Sequence, residues 1–165
     1  MIDIIPLAPI DTAAVESLLD RAFEPERRAR TAYKVRGDAA AVPALSFAAV
    51  DAGALVGTVQ CWPVSFRPDV GAPVSLAMVG PVAVAPDRQR DGLGRMLMTR
   101  ALVAAAEARL DDGLVLIGDP EYYGRFFGFT AERTAAWRLP GPVERRRLLA
   151  RGERVPDGAG ELGPV

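Results

Sequence analysis

The sequence predicts a single-domain α/β fold in which helices flank a mixed, mostly antiparallel sheet whose central parallel strands splay apart. Two observations carry this prediction. Residues 74–84 and 114–117 are apolar, strand-like runs on either side of a helical run over 93–110, the pattern of a right-handed β-α-β crossover. Residues 45–51 and 55–62 are two further strand-like runs joined by a short turn, as in an antiparallel hairpin. A chain of 165 residues is long enough to form one domain with a sizeable core.

The first part of the chain predicts a strand, a helix and an arginine-rich segment. Residues 1–9 alternate loosely around isoleucine and leucine, which indicates a first strand. Apolar residues then recur at helical spacing over 13–23, with Asp11 or Thr12 as the N-cap. Residues 24–36 are polar and rich in arginine, and are expected to hold one short helix. This segment fits either a solvated helical face or a mobile lip over a substrate pocket.

The long apolar strand over 74–84 contains an internal Gly80-Pro81 pair. Proline lacks the amide hydrogen that a central strand donates to its neighbour. The pair therefore indicates either an edge strand or a β-bulge at which the strand bends away from its neighbour. The preceding residues 63–73 contain several prolines and a glycine, and are expected to form a loop.

Short elements are expected after the crossover, and the chain then changes character. These elements are a helix over 121–126 that ends at Gly128 and two strands over 129–132 and 135–139. Beyond residue 140 the sequence predicts a short basic amphipathic helix and then a Gly- and Pro-rich tail with little order. We therefore place one domain at residues 1–140 and a C-terminal segment at residues 141–165.

The composition excludes several classes of function. The chain contains no histidine, which removes histidine-based metal sites and the Ser-His-Asp and Cys-His catalytic arrangements, and no metal site is expected. A net charge of −1 gives no general attraction for nucleic acid or for an anionic membrane, so neither is expected as a partner. The single cysteine, Cys61, has no partner for an intrachain disulfide and is expected to be a core thiol. The N-terminus lacks the basic start of a signal peptide, and the expected setting is cytoplasmic.

A glycine-containing turn at residues 89–94 lies between the long strand and the long helix. Amide groups at a helix N-terminus lack partners and attract anions, and Gly92 and Gly94 let a phosphate approach the backbone closely. The P-loop pattern fails because no Lys-Ser or Lys-Thr follows the glycines. The dinucleotide fingerprint fails because Leu97 occupies the position of its third small residue. The turn therefore indicates either a phosphate-bearing ligand of another kind or an ordinary tight turn.

Two motifs resemble those of the GNAT superfamily of acyl-CoA N-acyltransferases. The first is a Gln-x-x-Gly-x-Gly signature at residues 89–94, which follows an apolar strand ending in Val84-Ala85-Pro86. The second is an aromatic pair, a basic residue and a final Gly-Phe within residues 122–129. The segment 118–123 is most similar to a bacterial YhbS-like subgroup of predicted acetyltransferases. The resemblance covers roughly residues 2–140.

The resemblance implies that the chain binds acetyl-CoA, or another acyl-CoA, as a co-substrate. The bulge would splay two strands, and the pantetheine arm would enter between them and pair with the exposed strand backbone. The backbone N–H of Val82 would stabilise the oxyanion, and Tyr123 would donate a proton to the leaving thiolate. A doubled phenylalanine shifts the usual spacing of the second motif, so Tyr122 is the alternative donor. The implied cofactor contacts are Val82, Ala83, Val84, Gln89, Arg90, Asp91, Gly92, Leu93, Gly94, Arg95, Tyr123 and Phe126.

The resulting functional prediction is transfer of an acetyl group from acetyl-CoA to a primary amine on a small molecule, a protein or a peptide. The amine is expected to attack directly, without a covalent enzyme intermediate. The alternative is a catalytically degenerate domain that binds CoA as a sensor or interaction module. Glu24, Glu26, Asp119 and Glu121 are candidate bases by position alone, and a chain of water molecules would serve equally. A homodimer is a further expectation.

Overall fold

An eight-stranded mixed sheet forms the centre of the computed structural model, which describes residues 1–165. Its strands are β1 (Ile2–Pro6), β2 (Phe47–Asp51), β3 (Ala54–Pro68), β4 (Val74–Val84), β5 (Leu114–Ile117), β6 (Trp137–Arg138), β7 (Leu148–Arg151) and β8 (Gly160–Gly163). They run in the order β1-β2-β3-β4-β5-β7, while β8 pairs with β3 and β6. Only β4–β5 and β6–β8 are parallel. The mixed, mostly antiparallel sheet confirms the predicted fold class.

The helices are α1 (Thr12–Ala22), α2 (Thr31–Arg36), α3 (Leu93–Glu107) and α4 (Pro120–Phe127). Asp11 caps α1, as predicted, by accepting a hydrogen bond from the Ala13 amide at 3.3 Å. The single short helix expected after α1 is divided instead into a 3-10 turn over Pro25–Ala29 and helix α2, because Arg30 between them is extended. Helix α3 ends at Glu107, before the predicted end at residue 110. Just beyond it, Arg109 adopts a left-handed backbone conformation that a helix cannot contain. None of the helices combines the length and the apolar character that a membrane crossing requires.

Helices α1 and α3 pack on opposite faces of the sheet. Ala48 of β2 lies in the cluster around α1, whereas its neighbours Phe47 and Ala49 lie in the cluster around α3. Side chains alternate between faces along a strand, so these neighbours report the two faces directly. Helix α2 contributes Val35 to a third cluster, which contains Trp62 from the α1 face of β3.

One extra residue in β4 breaks its register with β3. Val59 of β3 pairs with Val82 of β4. Two residues further along β3, Cys61 pairs with Val79, which is three residues away along β4. Gly80-Pro81 therefore opposes a single residue of β3 and forms a β-bulge. This confirms the bulge interpretation and excludes the edge-strand one, since β4 pairs with β3 on one side and with β5 on the other.

Strand β3 continues to Pro68, so the loop predicted over 63–73 is wrong for its first half. Pro63 is tolerated within β3 because its backbone nitrogen faces away from β4. Cys61, two residues earlier, directs its N–H to the Ser46 hydroxyl and its carbonyl to the Val42 amide, away from β4. Pro63 shares that orientation by alternation, on a side where no strand pairs with it. Because no strand pairs with β3 at this point, no carbonyl of a neighbouring strand loses a hydrogen bond when Pro63 lacks an N–H.

The C-terminal residues form strands where the sequence predicts a basic helix and a tail of little order. Arg145–Arg147 make only a 3-10 turn, after which β7 pairs with β5 and β8 pairs with β3. Adjacent Leu148 and Leu149 are both buried, but in clusters on opposite sides of the sheet. Such alternation requires a strand. The predicted helix is wrong because that prediction was based on the basic residues around this segment.

The strands predicted over 129–132 and 135–139 are also largely absent. The first is reduced to a single bridge, in which Thr130 and Ala150 exchange backbone hydrogen bonds of 2.9 and 2.8 Å. The second is reduced to the two residues of β6.

We expect Leu149→Ala to lower the free energy of unfolding by about 2–5 kcal/mol. The Leu149 side chain is fully buried next to β5, and its truncation leaves a cavity there. Urea unfolding measures the change. Glu144→Ala, at an exposed position just before β7, is the control and should stay within about 0.5 kcal/mol of the parent. A similarly small effect of Leu149→Ala would show that β7 does not belong to the core.

Candidate active site

The candidate site begins where β4 and β5 separate. The two strands pair only at Ala77–Leu114 and Met78–Val115, although both continue beyond those pairs. A cavity of about 240 Å³ lies at the opening. Its floor comes from residues 78–82 of β4 and 116–119 at the end of β5. The expected splaying of the central parallel strands is therefore present.

The bulge determines which amides of β4 face this opening. The Ala77 amide donates to the Gly113 carbonyl at 2.9 Å, towards β5. The Ala85 amide donates to the Val56 carbonyl of β3 at 2.9 Å, in the opposite direction. Amides alternate along a strand, so the N–H groups of Val82 and Val84 face the β5 side, where β5 no longer pairs. Without the extra residue, the alternation counted from Ala77 would turn these amides towards β3.

A groove of about 720 Å³ runs from the opening to the N-terminus of α3. The predicted contacts that line it are Val82, Val84, Gln89, Arg90, Gly92, Gly94, Arg95 and Tyr123. Gly92 is the N-cap of α3 and has a left-handed backbone. The amides of Leu93, Gly94 and Arg95 have no backbone partner, since the first such bond in this turn is from the Met96 amide to the Gly92 carbonyl. The groove therefore ends at a cluster of free N–H donors beside two arginines.

Four predicted cofactor contacts have other surroundings. The Ala83 side chain is buried in the cluster around α1, and Leu93 is buried in the α3 cluster. Asp91 accepts a hydrogen bond of 2.7 Å from Arg88. Phe126 is partly exposed, and the Arg95 guanidinium lies 4.2 Å from its ring centroid. The structure does not bring these four side chains into the groove, although the Leu93 amide faces it as part of the helix N-terminus.

The two adjacent tyrosines of α4 have different positions. Their rings meet edge to face, with centroids 4.9 Å apart. Tyr123 lines both the cavity and the groove, together with Val82. Tyr122 lines the groove alone, and its hydroxyl lies 3.9 Å from the position that a Cβ on Gly94 would occupy. Tyr123 therefore stands where the two spaces meet, and Tyr122 stands near the glycine turn.

Burial raises the pKa of the Tyr123 hydroxyl to about 12, and the neighbouring Tyr122 and Asp119 add to this effect. Burial also raises the pKa of Tyr122, which Arg95 opposes. The Tyr123 ring packs against Gly118, where a Cβ would lie 2.5 Å from Tyr123 Cε2. Glycine at position 118 is thus a requirement of the ring's position. The sequence alone gave no reason to single out this residue.

The other wall of the cavity comes from the arginine-rich segment that follows α1. Phe23, Arg30, Ala32, Tyr33 and Arg36 line it. The segment therefore lies over the cavity, as the lip interpretation expects. It is held to α1 by a buried guanidinium, that of Arg27, which donates to Asp20 at 3.0 Å, to Glu16 at 2.5 Å and to the Tyr33 hydroxyl at 2.5 Å.

The carboxylates predicted as candidate bases are mostly engaged elsewhere. Glu24 accepts two hydrogen bonds from Arg30, and these hold the pKa of its carboxyl below the ordinary value. Glu121 is paired with Arg146, and Glu26 lies outside the cavity and the groove. Asp119 lines both spaces and lies 3.3 Å from Arg147. Asp119 is thus the one of the four carboxylates that reaches the site.

Cys61 does not reach the site. Its side chain is buried, and burial raises the pKa of the thiol to about 12. It lines neither the cavity nor the groove, in agreement with the predicted core thiol. No group of three His, Cys, Asp or Glu side chains stands close enough to hold a metal ion.

Comparisons with known proteins agree with this geometry. Residues 12–129 match the family model described as Acetyltransferase (GNAT) family. The chain is 31% identical over 134 residues to the uncharacterized N-acetyltransferase YhbS of Escherichia coli K12, covering 81% of this chain and 77% of the relative.

Two solved structures extend the comparison. The crystal structure of E. coli YhbS in complex with CoA superposes with a TM-score of 0.74 at 25% identity, covering 98% of this chain and 88% of that one. A GNAT family acetyltransferase from Brucella melitensis in complex with acetyl-CoA gives a TM-score of 0.60 at 26% identity, covering 93% and 97%. The family match and the level of identity to YhbS establish that the chain belongs to the GNAT family of acetyltransferases.

Proposed function

We propose that this chain transfers an acetyl group from acetyl-CoA to a primary amine by direct attack. The observation that carries the proposal is the junction at Val82 and Tyr123, where the groove from the glycine turn meets the cavity between β4 and β5. Two relatives of the same fold bind CoA and acetyl-CoA, respectively. A thioester that follows the groove would place its reactive carbon at this junction, and an amine in the cavity would reach it.

The glycine turn binds the pyrophosphate. The free amides of Leu93, Gly94 and Arg95 point from the positive end of α3, and Gly94 leaves room for the phosphate oxygens. Arg90 and Arg95 line the same end of the groove and add positive charge. The adjacent Tyr122 hydroxyl lies close enough to Gly94 to contact the same part of the ligand.

The pantetheine arm enters between β4 and β5 and pairs with the free backbone of β4, in the manner of an added strand. The amides of Val82 and Val84 face that space. The Val82 N–H, at the junction, stabilises the negative charge that develops on the thioester oxygen. The backbone donor is fixed by the bulge and by the β3 pairing of Val82, so it needs no reorganisation as the charge develops.

The group transfer then takes place at the thioester carbon, where one bond forms and another breaks. The neutral amine nitrogen bonds to the carbonyl carbon, the carbon–sulfur bond breaks, and its electron pair goes to sulfur. Tyr123 donates its proton to that thiolate, and the nitrogen of the new amide gives its extra proton to water or to Asp119. That proton returns through water to the Tyr123 oxygen, so that one proton passes in net from nitrogen to sulfur. A raised pKa keeps the Tyr123 hydroxyl protonated at neutral pH, and it also makes the hydroxyl a weaker acid than a free tyrosine. A cysteine relay has no support, because the thiol of Cys61 is buried away from the junction.

Release of CoA thiol from acetyl-CoA in the presence of a primary-amine panel tests the activity. We expect turnover with the parent, and a kcat about 100-fold lower for Tyr123→Phe with little change in KM for acetyl-CoA, since the lost group acts on the leaving thiolate. Tyr122→Phe is the matched control, and its main expected effect is a higher KM for acetyl-CoA.

Loss of kcat in Tyr122→Phe but not in Tyr123→Phe would transfer the role to the neighbouring tyrosine. Tight binding of acetyl-CoA without turnover of any amine would instead support the sensor interpretation. A cytoplasmic setting and a homodimer stay predictions from the sequence.

We expect kcat to rise with pH as the amine loses its proton, and then to stay level up to the most alkaline pH at which the protein remains folded. The direction follows from the raised pKa of Tyr123, about 12, because the donating form persists up to that pH. A pH–rate profile measures this. A descending limb near pH 10, the usual pKa of an exposed tyrosine, would show that the donor is not a buried tyrosine.

We expect Gly118→Ala to displace the Tyr123 ring, because the new methyl group would lie 2.5 Å from Tyr123 Cε2. The variant should lose about 1–3 kcal/mol of unfolding free energy through overpacking. The loss should largely disappear when the ring is removed, in a double-mutant cycle with Tyr123→Ala. Equal losses in both backgrounds would mean that Gly118 does not set the ring's position.

A further inference from the structure

The cavity contains an arginine with no anionic partner. Arg36, the last residue of α2, lines the cavity and is half-buried. No carboxylate lies within 4.0 Å of its guanidinium, which therefore has no anionic hydrogen-bond partner. The other two arginines of the cavity have partners, since Arg30 is paired with Glu24 and Arg147 with Asp119. One positive charge therefore remains uncompensated.

Two aromatic rings hold Arg36 in place. Its guanidinium carbon lies 3.8 Å from the ring centroid of Tyr33 and 3.8 Å from that of Trp62. Each ring is itself fixed by a hydrogen bond. The Tyr33 hydroxyl accepts from buried Arg27 at 2.5 Å, and the Trp62 indole N–H donates to the Gly80 carbonyl in the bulge at 2.7 Å. Cation–π contact with two rings does not use up the hydrogen bonds of the guanidinium N–H groups, which remain for a ligand.

We infer that the acceptor is a small primary amine that also carries a carboxylate, and that Arg36 binds this carboxylate. The inference rests on the proposed acetyl transfer and names the class of its acceptor. A planar guanidinium presents paired N–H donors that match the two oxygens of a carboxylate. The carboxylate would neutralise the single uncompensated charge of the cavity, while the amine of the same molecule extends towards the junction at Val82 and Tyr123.

The charge and the size of the cavity argue against polycations and against drug-sized amines as acceptors. Polyamines and other polycations would meet Arg30, Arg36 and Arg147 with only one lining carboxylate, Asp119, that is already paired. A volume of about 240 Å³ is below the roughly 300–1,000 Å³ of pockets that take drug-sized ligands. An amino acid or a molecule of similar size fits both constraints.

The test compares acceptors that differ only in the charge. Glycine and β-alanine are compared with glycinamide and β-alaninamide, and with putrescine, in the CoA-release assay. The two amides have nearly the same size as the acids, and their amines lose a proton more easily. This greater share of neutral amine favours the amides, so it works against the expected preference for the acids. We expect kcat/KM to be about 10- to 100-fold higher for the acids, the range that a charge-assisted contact supplies. Higher kcat/KM for the amides or for putrescine would overturn the inference and leave the acetyl transfer in place.

Variants assign the effect to Arg36. In Arg36→Met the preference for the acids should vanish through a higher KM for the acids, with KM for acetyl-CoA unchanged. Arg36→Lys should restore part of it. Lys34→Met removes a cation from the exposed face of the same helix and should behave as the parent. Thermal unfolding of each variant shows whether it folds. An acid preference that survives Arg36→Met would overturn the assignment.

A binding measurement separates failure of this inference from failure of the proposed function. Calorimetry compares N-acetylglycine with N-acetylglycinamide on CoA-saturated protein, and needs no turnover. Tighter binding of the acid in the parent but not in Arg36→Met supports the carboxylate site even if no amine is acetylated. Turnover of neutral amines with equal binding of the two probes overturns the site while the acetyl transfer stands.

Discussion

A single extra residue in β4 is the constraint on which the rest of the site depends. The Gly80-Pro81 bulge reverses the alternation of the strand, so that the amides of Val82 and Val84 face the gap beside β5. The same bulge supplies the Gly80 carbonyl that fixes the Trp62 ring. The backbone donors that we propose for the thioester and the orientation of Trp62 beside the cavity therefore come from one irregularity. A regular β4 could remain paired with β5 and close the gap.

The two ends of the site provide positive charge by different means. At the glycine turn, the charge comes from unpartnered helix amides and the exposed side chains of Arg90 and Arg95, which suits a pyrophosphate. In the cavity it comes from one guanidinium in contact with two rings, which suits the small carboxylate that we propose as its ligand. Between them, the junction at Val82 and Tyr123 contains one charged side chain, that of Asp119. Under the proposed function, this layout orients two anionic ligands towards each other by their distant ends, with the reacting atoms at the junction.

The sequence was most informative where local pattern and tertiary structure agree. The bounds of β4 and β5 were predicted, and the bulge and the Asp11 cap were each one of two predicted alternatives, because each follows from residues that are adjacent in the chain. The continuation of β3 through Pro63 was missed because a proline is tolerated there only where no strand pairs with β3 on that side, which the sequence does not show. Strands β7 and β8 were missed because their partners are distant in sequence. The significance of Arg36 was equally hidden, since only the fold brings Trp62 as close to its guanidinium as Tyr33, its neighbour on the same helix.

The position of β7 and β8 affects how the chain folds during its synthesis. Synthesis proceeds from the N-terminus, so β3 and β5 emerge well before the strands that cover their edges. Until Leu148–Arg151 and Gly160–Gly163 leave the ribosome, both edges present unpaired backbone groups that can recruit other nascent chains. The domain therefore completes its sheet only once these last two strands have been synthesised, and the interval before that is when its unpaired edges are most exposed to aggregation.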